Sequence, residues 1–429
     1  MRRASGRFGG TALRVGVAAA AAVIVAEAAV WALRPRAEVP DPVPVAADRF
    51  FDRAQVQRAE DYRDGQRTLL LVGIGIGGIA LVALAIGRPR ATRRALDALA
   101  RRPVLGAAAA GAGISIALAV VALPTTLAAH ERAVEVGIST QSLGSWVADQ
   151  GRSAVIGAAL AAIGAALLLW LQRRLPRGWW LPAAGAIVAF AAIWSWLAPV
   201  LLAPLFNRFE PVPPGPARDA VIELGERAGV EIGEVERIDA SRRVTSLNAY
   251  VAGLGPTKRV VLYDNLLEGV ERPALRSVVA HELGHAAARD IPRGILFVAI
   301  VAPFGMLFVR ELGGAVAASR DAEPGTPAAL PAYVLALILA TTGIGIAGNQ
   351  LSRAVEARAD AFALELTDDP QGLIDLQRRL AERNLSDPDP PGWATALLAT
   401  HPTTLERIGA ALAYERELTP PRRPTREGS

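Results

Sequence analysis

The stretch TLLLVGIGIGGIALVALAIG, residues 68–87, narrows the possible folds more than any other part of the chain, because it runs twenty residues without a charge. About 20 apolar residues in a helix cross the hydrocarbon core of a bilayer, and a helix satisfies its own backbone polar groups there. Six further segments have similar length and character, near 12–33, 104–125, 153–172, 179–205, 295–312 and 331–350. A water-soluble fold would have to bury all seven with almost no amphipathic helices to cover them. The pattern therefore predicts seven membrane spans in contact with lipid. The first span carries Arg14 and Glu27. Its apolar core is too long for a signal peptide and no small-residue cleavage site follows, so it reads as a retained helix. The sixth holds Pro303, which predicts a bend or an early stop.

Two polar regions interrupt this pattern, roughly 206–294 and from 351 to the end. PARDAVIELGERAGVEI has helical periodicity, with Ala220, Val221, Leu224 and Ala228 on one face. NAYVAGLGPTKRVVLYD reads as two β-rich runs joined by a turn containing Gly255 and Pro256. In ERPALRSVVAHELGHAAARD, Pro273 suits the first turn of a helix. No internal repeat is visible. Composition excludes other chemistry: the chain has no cysteine, hence no disulfide, thiolate ligand or cysteine nucleophile. Of 46 basic residues only Lys258 is a lysine, and the net charge is +5. The arginines sit beside apolar blocks without interleaved aromatics, so nucleic acid is not an expected partner.

The chemistry concentrates in SVVAHELGHAAARD, residues 277–290, which holds two of the four histidines. On a helix, His281 and His285 share a face and can aim one ring nitrogen each at a single ion. Glu282, beside them, is placed to act as general base on a water and then to protonate the leaving amine. Three protein ligands leave a zinc ion one open position for catalysis, so one Zn²⁺ per chain is expected. A third histidine six residues downstream is excluded, since position 291 is isoleucine. NQLSRAVEARADAFALEL offers Glu356 as the third ligand and, one turn on, Asp360 to accept a hydrogen bond from a ligand imidazole. Alone, that pair also reads as a solvated helix face with Arg353 and Arg358 as partners. His130, placed in the loop after the third span, reads as structural.

With these residues in view, the chain resembles the type I CAAX prenyl endopeptidases, and more distantly the heat-shock-type membrane metalloproteases. The resembling stretches are LLAPLFNRFEPVPPG, SLNAYVAGLGPTKRVVLYDNLL, VVAHELGHAAARDI, SRAVEARADAFAL and THPTTLERIGAAL, in that order, with the zinc helix between the fifth and sixth spans. The resemblance implies a mainly α, seven-helix membrane bundle around an intramembrane chamber, carrying a small α+β gluzincin-type zinc protease domain. It implies zinc on His281, His285 and Glu356. It places Asn248, Ala249 and Tyr250 on an edge strand to which an extended peptide substrate adds as a β-strand. It also implies that His401 and Arg407 face the active site and stabilise the oxyanion; their chemistry alone suggests a turn residue and a surface charge.

The expected organisation is 1–205, a membrane region with five spans; 206–294, the zinc domain; 295–350, two further spans; 351–415, the rest of the protease domain with the third ligand; and 416–429, a disordered tail. The expected function is an integral-membrane zinc metalloendopeptidase, CAAX-prenyl-protease-like. The alternatives are a quality-control protease for membrane proteins and peptides without prenyl specificity, and an inactive membrane scaffold. Arginines gather at the N-terminus (Arg2, Arg3, Arg7), in the second loop and in the fourth. The positive-inside rule makes that side cytoplasmic and puts the zinc domain outside a bacterial plasma membrane, whereas eukaryotic relatives place it in the cytosol.

Overall fold

The computed structural model describes residues 2–253 and 258–418. The Gly255–Pro256 turn, the side chains of Arg2, Arg3 and Arg7, and residues 419–429 of the expected tail lie outside the described residues. In chain order the helices begin with α1 (Arg2–Leu33), α2 (Arg53–Val82), α3 (Arg90–Leu99), α4 (Pro103–Glu135), α5 (Leu143–Arg174), α6 (Trp180–Leu201) and α7 (Ala203–Phe206). There follow β1 (Phe209–Pro211), α8 (Pro216–Arg227), β2 (Glu234–Ile238), β3 (Ala249–Ala252) and β4 (Arg259–Tyr263). The chain continues with α9 (Asp264–Gly269), α10 (Arg272–Ala287), α11 (Asp290–Ala318) and α12 (Leu330–Thr367). It ends with α13 (Pro370–Arg383), α14 (Gly392–Leu397) and α15 (Thr404–Leu418). The described residues form two compact units, one within 2–34, 64–202 and 291–351, the other within 35–63, 203–253, 258–290 and 352–418.

The first unit holds the membrane spans. Among the described residues seven helices are long and apolar enough to cross a bilayer, and each overlaps one of the seven segments read from the sequence. Between 0% and 39% of each apolar window is buried by protein, so lipid must cover the rest. Close packing is concentrated between α4 and α5. There a Cβ at Gly111 would lie 2.6 Å from the Ala161 carbonyl oxygen, so only glycine permits this approach. Ser142 caps α5 by accepting a hydrogen bond from the Ser145 amide at 3.3 Å. The charges in the first span have partners: Arg14 lies 3.6 Å from Glu311, and Glu27 accepts from Gln350 at 3.0 Å. Two expectations change. Helix α11 continues through Pro303 to Ala318, so of the expected bend or early stop the stop does not occur; neighbouring turns and helices re-satisfy the backbone group a proline frees. His130 stands inside α4, not in a loop, with its ring stacked on Trp146 at 5.1 Å.

The second unit is built on a four-stranded sheet in the order β1-β2-β4-β3. β2 and β4 run parallel, while β3 and β4 form the expected antiparallel pair, Tyr250 opposite Val261. Val260 and Leu262 of β4 are buried with Val221 and Leu224 of α8, Val279 and Leu283 of α10, and Ile408 of α15. Pro216, Pro273 and Pro370 sit in first turns, where a missing amide hydrogen costs nothing. Residues 35–63 belong to this unit as well. Phe51 is buried in its core, the Val43 amide donates to the Gly409 carbonyl at 3.2 Å, and Arg63 donates to the carbonyls of Asn384 and Leu385 at 2.6 and 2.7 Å.

Candidate metal centre

Helix α10 presents its histidines on one face because they are four residues apart, and its opposite face is locked into the core by Val279 and Leu283. The second half of the centre comes from the last turns of α12. Those turns can approach because residue 284 is glycine: a Cβ there would sit 3.0 Å from the Phe362 ring and 3.3 Å from its Cβ. A side chain at 284 would therefore require the Phe362 side chain to give by a few tenths of an ångström.

Three side chains converge. His281 Nε2 lies 3.2 Å from His285 Nε2 and 3.2 Å from Glu356 Oε2, while His285 Nε2 lies 3.5 Å from Glu356 Oε1. His281, His285 and Glu356 form a group able to hold a metal ion. Each imidazole is oriented through its other nitrogen: His281 Nδ1 meets Asp360 Oδ1 at 2.8 Å, and His285 Nδ1 meets Asp290 Oδ2 at 2.9 Å. In the neutral rings, Nδ1–H donation to these carboxylates leaves a lone pair on each Nε2. Glu356 Oε2 is buried without a hydrogen-bond donor. Three lone-pair donors facing one another repel unless a cation sits among them, and this donor set fits one. The local field agrees in sign. Burial disfavours a charged His281, but the hydrogen bond and charge of Asp360, together with the Glu356 carboxylate 3.2 Å from Nε2, outweigh it and raise the pKa to about 9.

The carboxylates are held in turn. Arg407 grips Asp360 with both arms of its guanidinium, Nε to Oδ2 at 2.7 Å and Nη2 to Oδ1 at 2.6 Å. Arg358 donates to Asp290 at 2.5 Å and to the Gly284 carbonyl at 3.1 Å. Arg358 is buried and therefore not the solvated partner that charge pattern alone suggests, while Arg353 donates to the carbonyls of Thr395 and Ala399. Glu282 projects from α10 beside the cluster; burial raises its pKa, opposed by the two histidines. His401, about half exposed, brings Nε2 to 3.6 Å from Glu356 Oε2, and partial burial pushes its pKa down.

Every residue expected at the metal is thus in one cluster. Arg407 reaches it through Asp360. Asn248, Ala249 and Tyr250 lie apart from the cluster's contacts, on and just before β3, at the edge of the sheet and against α10. Ala249 is buried, Asn248 accepts from the Tyr263 amide through its carbonyl at 3.1 Å, and burial pushes Tyr250 up to about 12. Among the described residues β3 pairs only with β4, leaving its outer edge without a neighbouring strand. Asp290 and Arg358 escaped the sequence reading. The available signal was an acid five residues after His285, opening the next helix, and an arginine two residues after Glu356.

Residues 220–415 match the model of peptidase family M48, and residues 36–208 that of the CAAX prenyl protease N-terminal region with five membrane helices. An uncharacterized metalloprotease of Bacillus subtilis, YhfN, is 26% identical over 365 residues, 84% of this chain and 86% of that protein. A CAAX prenyl protease 1 homolog of Oryza sativa is 31% identical over 239 residues, 53% of this chain and 54% of that one. Among solved structures, Ste24p of S. mikatae shares the fold with a TM-score of 0.72 at 20% identity, covering 93% of this chain and 98% of that one. The two family models meet on a chain with seven membrane-length helices and a His-His-Glu cluster: it belongs to peptidase family M48, as a multi-pass membrane metalloprotease related to the CAAX prenyl proteases.

Proposed function

We propose that this protein is a zinc endopeptidase in which His281, His285 and Glu356 hold one Zn²⁺ and Glu282 is the general base. The observation that carries this reading is the spacing of the donors. Atoms bound to a tetrahedral zinc at about 2.0–2.2 Å lie roughly 3.4 Å from one another; here the two Nε2 atoms are 3.2 Å apart, and the Glu356 carboxylate brings Oε2 to 3.2 Å from His281 Nε2 and Oε1 to 3.5 Å from His285 Nε2, so each imidazole has a carboxylate oxygen at that spacing. When bound, the ion supplies Lewis acidity, acidifying a water toward pH 7 and polarising the scissile carbonyl. The chain's residues do the rest. Glu282, its pKa raised by burial, takes the proton of the attacking water and passes it to the leaving amine. Asp360, set by Arg407, and Asp290, set by Arg358, fix the tautomer and tilt of the two rings. His401 is placed to donate to the oxyanion. Arg407, engaged with Asp360, contributes to it through its charge.

The substrate is a peptide laid along the free edge of β3 as an added strand, with Asn248, Ala249 and Tyr250 forming that edge. The plant and fungal relatives are named as a CAAX prenyl protease 1 homolog and a probable CAAX prenyl protease 1. The Bacillus subtilis relative, aligned over more of both chains, is named only as a metalloprotease. We take membrane-associated peptides in general as the substrate class, reached through the chamber that the family resemblance implies. Arginine placement puts the centre outside the cytoplasm of a bacterial plasma membrane. Because the chain has no cysteine, Ser429→Cys supplies one thiol for an impermeant maleimide. Labelling of intact cells supports that side, and labelling only after lysis reverses it. The zinc assignment is tested by metal content: one zinc per chain in the parent, and none retained after dialysis of Glu356→Ala. Stoichiometric zinc in that variant would remove Glu356 from the ligand set.

A further inference from the structure

The membrane unit contains an apolar cavity of about 560 Å³ between α4, α5, α6, α11 and α12. That volume lies within the range of small-ligand pockets, about 300–1,000 Å³. Among the described residues Ser115 and Tyr333 are the only polar side chains on its wall, which includes Ile114, Gly164, Leu168 and Phe190. No metal ligand, acid or base lines it, so it is not a second hydrolytic centre. Inside a bilayer such a space is filled by hydrocarbon, because water finds no partners there and a void forfeits dispersion contacts.

A second observation gives the cavity an address. Leu171 and Leu330 line it, and both stand where the chain leaves the membrane at its arginine-rich end. Arg173, Arg174 and Arg177 follow Leu171 directly and are exposed. Arg173 donates to the Gly325 carbonyl at 3.4 Å, and Arg88 donates to the Arg320 carbonyl, tying three connections together. Helix α3 belongs to the same end: its Leu96 is buried with Ala107, Ile114, Leu169 and Leu330, while Arg90, Arg93 and Arg94 face outward. Residues 88–102, 172–178 and 318–329 hold ten arginines against three acids, Asp97, Asp321 and Glu323.

We infer that this is a phospholipid site: one acyl chain occupies the cavity, and an anionic headgroup rests on Arg173, Arg174 and Arg177. The guanidinium fork matches a phosphate in charge and geometry. The membrane offers both halves of the ligand in one molecule, headgroup at the boundary and chain beneath it. This goes beyond peptidase activity and does not depend on the zinc reading.

The test is a titration of the detergent-solubilised full chain, followed by native mass spectrometry, with phosphatidylglycerol, phosphatidylcholine or inorganic phosphate. Phosphatidylglycerol is expected to bind saturably, one per chain, about tenfold more tightly than phosphatidylcholine. Replacing the three arginines (Arg173→Gln, Arg174→Gln, Arg177→Gln) should erase that preference and leave phosphatidylcholine binding in place. Gly164→Leu, at a wall position where an added Cβ meets nothing within 4 Å, should weaken both lipids by about tenfold. Equal affinity for the two lipids overturns the headgroup assignment. Undiminished binding by Gly164→Leu overturns the acyl-chain assignment, and full displacement by millimolar phosphate shows a phosphate site without a lipid. Should a variant unfold on heating earlier than the parent, the comparison of two lipids and phosphate on the parent chain still decides.

Discussion

Ile79 of α2 is 72% exposed, whereas Leu224 of α8 is fully buried. The two side chains are equally greasy and face different solvents. In the membrane unit, lipid takes the apolar surface, and specificity of packing is confined to seams such as Gly111 against Ala161. In the second unit, Val221, Val260, Leu262, Leu283 and Ile408 are all fully buried in one core, and that core fixes α10 against its neighbours. The lesson concerns precision. Three ligand atoms within 4.8 Å of one another need a frame that does not slide, which a close-packed aliphatic core supplies and a lipid-facing helix does not.

The contrast can be broken in graded steps. The largest effect belongs to the ligands: His285→Ala should abolish metal binding and reduce peptide hydrolysis by on the order of 10³ or more, measured by metal content and turnover together. Next comes the frame. Leu224→Ala should destabilise the second unit by about 2–5 kcal/mol through the cavity it leaves, read as an earlier thermal unfolding step. Asp290→Ala should weaken metal affinity by about 10–100-fold, in a competition assay with a chromophoric chelator, and should also lower the thermal midpoint, because it leaves the buried Arg358 without its carboxylate.

Acidity tests the same frame more gently. Without metal, the His281 pKa is raised to about 9, so below that pH a proton holds the position the metal needs. Metal affinity should therefore rise by about tenfold per unit as pH climbs toward 9 and level off above it. A flat profile would mean that Asp360 and Glu356 do not favour a cation on that ring. The smallest effect is the control. Ile79→Ala, on a lipid-facing surface, should change stability by less than about 0.5 kcal/mol, and a cost near that of Leu224→Ala would erase the distinction between the two units.

How legible each unit was follows from the range of the forces involved. Seven spans were readable because hydropathy is a local property, and His281, His285 and Glu282 because helical spacing is local too. Glu356 and Asp360 needed the logic of a missing ligand, being 75 and 79 positions from His281. The Arg358–Asp290 pair joins residues 68 apart, and no periodicity points from one to the other. The packing of residues 35–63 into the second unit was equally silent, since PRAEVPDPVPVAADRFFDRA reads as a polar connection until Phe51 is seen buried. At Pro303 a local rule allowed an early stop where the helix continues, because a span's surroundings can replace what proline removes.

The central claim, that Glu282 moves the proton while His281, His285 and Glu356 hold the metal, separates two properties in one variant. Glu282→Ala should be purified beside the parent and assayed for zinc content and for hydrolysis of a quenched-fluorescent peptide in detergent. The account predicts one zinc per chain in both proteins, with turnover in the variant reduced by on the order of 10²–10⁴. Equal turnover in the two preparations, with contaminating peptidase excluded, would contradict it.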